Sequence, residues 1–479
     1  MFTFLASIVI LVVGYIVYGK FTEKMFGMDE HRVTPAVRLE DGIDFIKLPP
    51  AKIFLIQFLN IAGLGPIFGA ISGALWGPVA FLWIVFGSIF AGAVHDYFSG
   101  MLSVRHDGAS IPEVVGKYLG NGFKQFMRGF SVILLILVGT VFMTGPAGLL
   151  ASLTPESLDK TFWLYVIFIY YVLATILPID KLIGKIYPIF GLCLLIMAVG
   201  VGGGILIGDY NIPELTLQNL HPSNLPIWPL MFVTIACGAI SGFHATQSPM
   251  MARCLENEKQ GRASFFGAMI AEGIVALIWA AAAMTFFNGT DGLAKALTEQ
   301  GGQAGIVHLI STSLLGKVGG VLAILGVIAC PVTSGDTAFR SARLTIADFL
   351  NFKQGPIKNR LILSAPLFIV AYCLTLIDFN IIWRYFAWSN QTLAMIVLWT
   401  GAMYMVHINK SHWFVTIPAT FMTAVSFTYI LVAPEGFKMA ASIAYPIGIV
   451  IAILSLGWFL STASKRKPLS NDQKQASNI

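Results

Sequence analysis

Two short polar stretches interrupt otherwise apolar sequence, and their residue types suit the binding of small solutes or ions. Asn60-Ile-Ala-Gly-Leu-Gly-Pro66 breaks the apolar stretch 53–75. Cys237-Gly-Ala-Ile-Ser-Gly-Phe-His244, running on to Pro249, breaks 228–251. Pro66 has no amide hydrogen to give, and Gly63 and Gly65 accept unusual backbone angles. In a helix crossing lipid, such a break frees carbonyls and amides that only protein or a watery cavity can satisfy. The carbonyls of Ile61, Ala62 and Gly63 would then suit a cation. The amides of Ile67 and Phe68 would open a half-helix whose positive end suits an anion. Taken alone, the first break also reads as a proline kink with tight packing.

The second break brings Ser241, Gly242, His244, Thr246, Gln247 and Ser248 to mid-membrane depth. Imidazole can carry a proton near neutral pH or bond a carboxylate. A third constellation, Cys330-Pro-Val-Thr-Ser-Gly-Asp336-Thr-Ala-Phe-Arg340, places Thr333, Ser334 and Thr337 on an expected broken turn. Hydroxyls with backbone carbonyls form a hard-oxygen cage suited to sodium, which Asp336 would complete or replace as a proton carrier. The same spacing also allows an Asp336–Arg340 pair at i, i+4. His95 and Asp96 offer a proton relay or an inner gate, or an ion pair with a neighbouring helix; Glu272 is a weaker case. In Trp383-Arg-Tyr-Phe-Ala-Trp-Ser-Asn-Gln391, the aromatics read as an interfacial belt and Asn390 and Gln391 as helix glue.

The elements that must position these groups are membrane helices. Hydrophobic residues make up 56% and charged residues 11%, which excludes an ordinary soluble domain. Thirteen apolar spans are expected: 2–19, 53–75, 79–104, 129–150, 162–178, 186–207, 228–251, 264–287, 318–346, 361–378, 385–407, 413–432 and 439–461. The run Phe2 to Tyr18 lacks a preceding basic residue and reads as a retained helix. With the N-terminus outside and the C-terminus inside, only Lys160, Lys295, Lys317, Arg384 and Lys438 of the 30 basic residues fall in outer segments. The net charge of +6 therefore reads as topology and not as nucleic-acid binding.

In this orientation the second and seventh spans, the two interrupted ones, run in opposite senses and lie five apart. Five helices from each form a 5+5 inverted repeat, the architecture of many secondary transporters. The expected divisions are 1–52 (an added helix and loop), 53–207 and 208–407 (the two repeats), 408–463 (two peripheral helices) and 464–479 (a disordered tail). Segment 288–317 is expected on the outer face, partly helical. Gly-Val-Gly-Gly-Gly at 200–204 reads as close helix packing, since no Walker-type lysine follows it. The five cysteines form no C-x-x-C pair, so no disulfide framework or zinc site is expected. No hydrolase or ATPase signature is present, so neither enzyme chemistry nor a cofactor is expected.

The chain resembles the carbon starvation protein A family of bacterial transporters. The resemblance rests on Ala62-Gly-Leu-Gly-Pro66, Leu82-Trp-Ile-Val-Phe-Gly with Ala91-Gly-Ala-Val-His-Asp96, Arg105-His-Asp-Gly108, Cys237 to His244, and Asn390-Gln-Thr-Leu-Ala394. It implies the amino acid–polyamine–organocation superfamily and a leucine-transporter-like fold. It further implies uptake of peptides or pyruvate in carbon starvation, in some members coupled to protons. Longer members carry extra helices, and paired histidines where this chain has Ile56 and Gln57.

The expectation is an all-α integral protein of the bacterial cytoplasmic membrane. It would import a small carboxylate-bearing solute with a proton or sodium. Asn60, Gly63, Gly65, Ile67, Ser241, Gly242, His244 and Gln247 would bind the solute. Ala62, Thr333, Ser334, Asp336 and Thr337 would hold the coupling ion, with no metal beyond possible sodium. A passive channel or a membrane nutrient sensor are the competing readings.

Overall fold

The computed structural model describes residues 1–42, 44–176, 180–208, 210–350, 352–353 and 356–465, and the expected polar tail lies outside them from residue 466 onward. Among the described residues every regular element is helical. Each of the thirteen expected spans has a helical counterpart. Among the described residues ten helices are long and apolar enough to cross a membrane, and an eleventh span is the bent pair Pro50–Ile61 and Gly65–Trp76. The other two counterparts are the short helix Lys160–Ile176 and the 29-residue helix Phe379–His407.

The ninth helix departs from expectation. It runs Gln303–Ala347 with a kink at Gly316, where φ is +58°. Much of the segment 288–317 is thereby helical, as Thr290–Glu299 and the first turns after Gln303. Residues 330–350 form one continuous helix, preceded by a wide turn at Ile324–Ala329. The broken turn expected around Thr333 is therefore absent: the chain stays helical from the wide turn at Ile324–Ala329 through Cys330 and Pro331.

Packing follows small residues. Gly200 meets Leu315, Gly202 meets Ile278 and Gly204 meets Leu314, so the glycine-rich run does pack closely on neighbouring helices. Trp383 and Phe386 are buried inside the protein, correcting their reading as a lipid-interface belt. Their rings lie 5.4 Å apart, tilted to each other, and Trp383 also meets Phe68 and Phe379. All five cysteines are free.

At the end rich in basic residues, Glu258 is completely buried. Arg105 grips it through two bonds, Nε to Oε1 at 3.0 Å and Nη2 to Oε2 at 2.9 Å. Arg32 Nε lies 3.6 Å from the same carboxylate, and the Asp29 amide donates to it. Arg105 also donates to Tyr404 Oη and Gly27 O and stacks on Phe26. This cluster ties the first helix to the third, eighth and eleventh. Such a bidentate, desolvated pair is costly to break.

Candidate functional site

Both expected breaks exist. Pro50–Ile61 ends at Ala62, and a new helix starts at Gly65 after a bend of 50°. In the seventh span, Phe232–Ile235 ends at Ala236, whose φ of +39° is strained for a residue with a side chain. The chain resumes as Phe243–Ala252. Residues 57–74 and 235–245 are all buried, so the freed backbone faces protein, as the absence of water in a bilayer demands.

The two breaks touch through glycine. A Cβ on Gly65 would stand 2.4 Å from Cys237 Cβ, and one on Gly69 would stand 2.5 Å from Ile235 O. Gly73 faces the Ile235 side chain, whose Cγ1 would lie 2.3 Å from an added Cβ. The spacing of four puts all three on one helix face, a small-residue seam that admits backbone contact.

The second break is satisfied by neighbours. Ser88 Oγ donates to Gly238 O at 3.1 Å. Asn390 Oδ1 accepts from both Ser241 Oγ and the Phe243 amide, each at 2.8 Å, and Asn390 O accepts from the Gly242 amide. Asn390 thus caps the second half-helix from outside, a specific form of the glue expected of it. Gln391 Nε2 donates to Phe232 O at 2.5 Å.

His244, Thr246, Gln247 and Ser248 lie on the first turns of that half-helix and not, as expected, in unwound chain. There His244 joins residues that the sequence lists separately. Its Nδ1 is 2.8 Å from Asp96 Oδ2, and its Nε2 is 3.3 Å from Glu272 Oε2. Asp96 Oδ1 is 2.7 Å from His95 Nδ1. All four side chains are 0% exposed. Among the described residues His95 Nε2, His244 Nε2 and both Glu272 oxygens have no hydrogen-bond partner, so the 3.3 Å approach is one of charge alone. Two acids and two imidazoles in full burial are held near neutrality only by sharing protons among themselves. Ser99 Oγ donates to Ser248 Oγ at 3.1 Å and links the third and seventh spans beside this quartet.

At the first break, the amides of Ile67 and Phe68 both close onto Leu64 O, so they are not the open donors the sequence suggested. What remains there for an anion is the dipole of the half-helix. A Cβ on Gly63 would meet the Phe142 ring at 2.8 Å. The ninth span approaches this break: Cys330 Sγ donates to Leu59 O at 3.5 Å. Its hydroxyls bond within their own helix, Thr333 to Ala329 O and Cys330 O, and Thr337 to Thr333 O. Asp336 Oδ2 is 3.4 Å from Arg340 Nη2, the i, i+4 alternative. Among the described residues no group of three or more His, Cys, Asp or Glu side chains, the quartet included, is arranged to hold a metal ion.

Residues 1–157, 150–300 and 291–429 match the family described as carbon starvation protein CstA. The chain belongs to the CstA family. An uncharacterized membrane protein of Haemophilus influenzae is 44% identical over 350 residues, covering 62% of this chain and 94% of that protein. The peptide transporter CstA of Campylobacter jejuni is 24% identical, covering 98% of this chain and 86% of that protein. The pyruvate/proton symporter BtsT of Escherichia coli is 26% identical, covering 57% of this chain and 47% of that protein. Among solved structures, MhsT in complex with L-phenylalanine superposes with a TM-score of 0.55 at 14% identity. That alignment covers 87% of this chain and 99% of MhsT. The nucleobase-cation-symport transporter MHP1 gives the same score at 13% identity, covering 90% of this chain and 95% of MHP1.

This CstA-family chain accordingly has the leucine-transporter-like fold and is a multi-pass membrane transporter of small molecules, not an enzyme. The sequence had flagged His95, Asp96 and His244, and Glu272 more weakly, but not their meeting. It missed the Arg105–Glu258 pair altogether; nothing in local spacing points to a contact between residues so far apart.

Proposed function

We propose that this protein is a proton-coupled importer of a small carboxylate-bearing solute, a short peptide or pyruvate, in the bacterial cytoplasmic membrane. The observation that carries the reading is the fully buried quartet His95–Asp96–His244–Glu272 beside the second break. An ionisable cluster inside a membrane is costly, so a function in charge movement is the first explanation. One proton added to or lost from the quartet changes the net charge next to the Ser241–Phe243 break. That bias favours one arrangement of the seventh span over another.

His244, held between two carboxylates, serves this cluster better than it serves a solute wall. The solute's carboxylate would lie at the dipole of the half-helix after Gly65, with Asn60, Gly63 and Ile67 on one side and Ser241, Gly242 and Gln247 on the other. The lysine and arginine imbalance supports a basic face toward the cytoplasm, and access would alternate as the two repeats rock about this centre.

Sodium coupling is the second reading. It is favoured by the ninth span's approach to the first break, where Cys330 meets Leu59 O; Thr333, Ser334, Asp336 and Thr337 with the Ala62 carbonyl would hold the ion. Purified protein in liposomes distinguishes the readings. Labelled pyruvate and a labelled dipeptide are offered under an imposed proton gradient and, separately, a sodium gradient. Accumulation driven by protons is the expected result. Accumulation driven by sodium alone overturns proton coupling, and downhill flux without accumulation replaces the symporter with a channel.

A further inference from the structure

A cavity of about 210 Å³ lies between the eleventh span and the two peripheral helices, toward the end rich in basic residues. Tyr118, Phe123, Met403, Phe427, Trp458 and Thr462 are among its lining. Phe427 is 37% and Trp458 62% exposed, so the cavity opens on the outer surface of the bundle. The Trp458 and Phe123 rings stack at 5.9 Å. Trp458 stands two turns before Lys465, the last residue of its helix Ala441–Lys465. Tryptophan favours that depth, where acyl chains meet headgroups.

The polar groups around the cavity are largely satisfied by protein. Trp399 Nε1 donates to Thr423 Oγ1 at 3.0 Å, and Thr423 Oγ1 to Ala419 O at 2.7 Å. Thr462 Oγ1 donates to Trp458 O at 2.8 Å, and Tyr118 Oη bonds His106 Nε2 at 3.1 Å. Little is left to hold water, so the space suits a hydrocarbon chain.

The charge around it has one sign. The lining comes from residues 114–128, 395–434 and 441–465, which contain five basic residues and no aspartate or glutamate. Glu113, the nearest acid in sequence, is already bound by Lys124 and Arg128. Lys117, next to Tyr118, and Lys465, three residues past Thr462, are exposed and have no ion-pair partner among the described residues. An apolar slot under unneutralised lysines at headgroup depth matches an anionic amphiphile. A second copy of the chain fits less well, because a two-fold interface there would set like-charged rims against each other.

We propose that this cavity holds one acyl chain of an anionic phospholipid in the leaflet at the basic end, its phosphate taken by Lys117 and Lys465.

Native mass spectrometry of the full-length protein in detergent tests this, with dioleoylphosphatidylglycerol and dioleoylphosphatidylcholine titrated separately. The proteins are wild type, the double variant Lys117→Gln/Lys465→Gln, and Ser455→Phe, which fills the cavity from its wall. Wild type binds one phosphatidylglycerol about 25-fold tighter than phosphatidylcholine, each lysine near a membrane surface being worth about fivefold. The lysine variant loses that preference and keeps its phosphatidylcholine affinity. Ser455→Phe weakens both lipids by at least about tenfold, the worth of roughly two buried methylenes. Glycerol phosphate, a headgroup without a chain, does not displace the bound lipid. Equal affinity of wild type for the two lipids, or an unchanged preference in the lysine variant, overturns the anionic site. Unchanged binding in folded Ser455→Phe, or displacement by glycerol phosphate, overturns the cavity as its seat, and the second result needs no variant to fold. A lipid-free wild-type dimer that Ser455→Phe splits assigns the cavity to a second copy and overturns the proposal.

Discussion

His244 Nδ1 and Asp96 Oδ2 lie 2.8 Å apart with neither side chain exposed, joining the third span to the half-helix that follows the second break. Asp96→Asn keeps the shape and removes the charge. The expected outcome is loss of proton-driven accumulation with solute exchange between the two sides preserved, read as counterflow in liposomes. Accumulation at the wild-type level would reduce the pair to a structural tie. His244→Ala is expected to lose both coupling and thermal stability, since it leaves two buried carboxylates facing each other.

Asp336→Asn separates the two coupling ions. If protons pass through the quartet, this variant keeps proton-driven accumulation and loses about 0.5 kcal/mol with its Arg340 partner. Collapse of accumulation in a folded Asp336→Asn protein would move the coupling site to the ninth span.

Asn390→Ala removes the acceptor shared by Ser241 and Phe243. The buried Phe243 amide then has no partner, at a cost of about 1–3 kcal/mol. A lowered thermal midpoint and slower uptake are expected together. Slower uptake at unchanged stability would mean that Asn390 touches the solute directly.

Two glycine substitutions should diverge. Gly69→Ala pushes a methyl group against the Ile235 carbonyl, which as backbone cannot swing away, and should cost about 1–3 kcal/mol. Gly203→Ala meets nothing within 4 Å in mid-helix and should stabilise by about 0.5–1 kcal/mol. Thermal unfolding in detergent compares them, and equal effects would contradict the backbone contact.

Acid should weaken the inner face at His106. Burial first, then nearby Lys117, pushes its pKa down from 6.5 to about 4, against the bond to Leu102 O. In the folded state Nδ1 donates to that carbonyl and Nε2 accepts from Tyr118 Oη. As pH falls below 6.5 the unfolded chain gains a proton that the folded chain refuses until about 4, so stability declines through that window. The decline should be shallower in His106→Gln, measured as the thermal midpoint at pH 7 and pH 5.

The breaks were legible because glycine and proline act locally: Gly63, Gly65 and Pro66 announce a bend wherever they fall. The quartet was legible only in pieces. His95 and Asp96 are adjacent in sequence, but their pairing with His244 depends on how two distant helices rotate, and no period encodes that. Thr333 and Thr337 misled for the opposite reason: a Pro-Val-Thr-Ser-Gly run resembles a break, yet the chain stays helical on both sides of Pro331, with the irregularity confined to the wide turn at Ile324–Ala329. Trp383 looked interfacial because tryptophan commonly is, while Phe68 from the first half-helix packs against it together with Phe379 of its own helix.

The glycine seam between Gly65, Gly69, Gly73 and the Ile235–Cys237 turn has a mechanical consequence. Side chains between two helices act as compliant cushions, letting one slide while the other stays. Here one side of the cushion is missing: Cys237 and Ile235 side chains press on the backbone at Gly65 and Gly73, and at Gly69 the Ile235 carbonyl itself does. The two broken helices are therefore geared: a tilt begun in either half-helix carries the other with it.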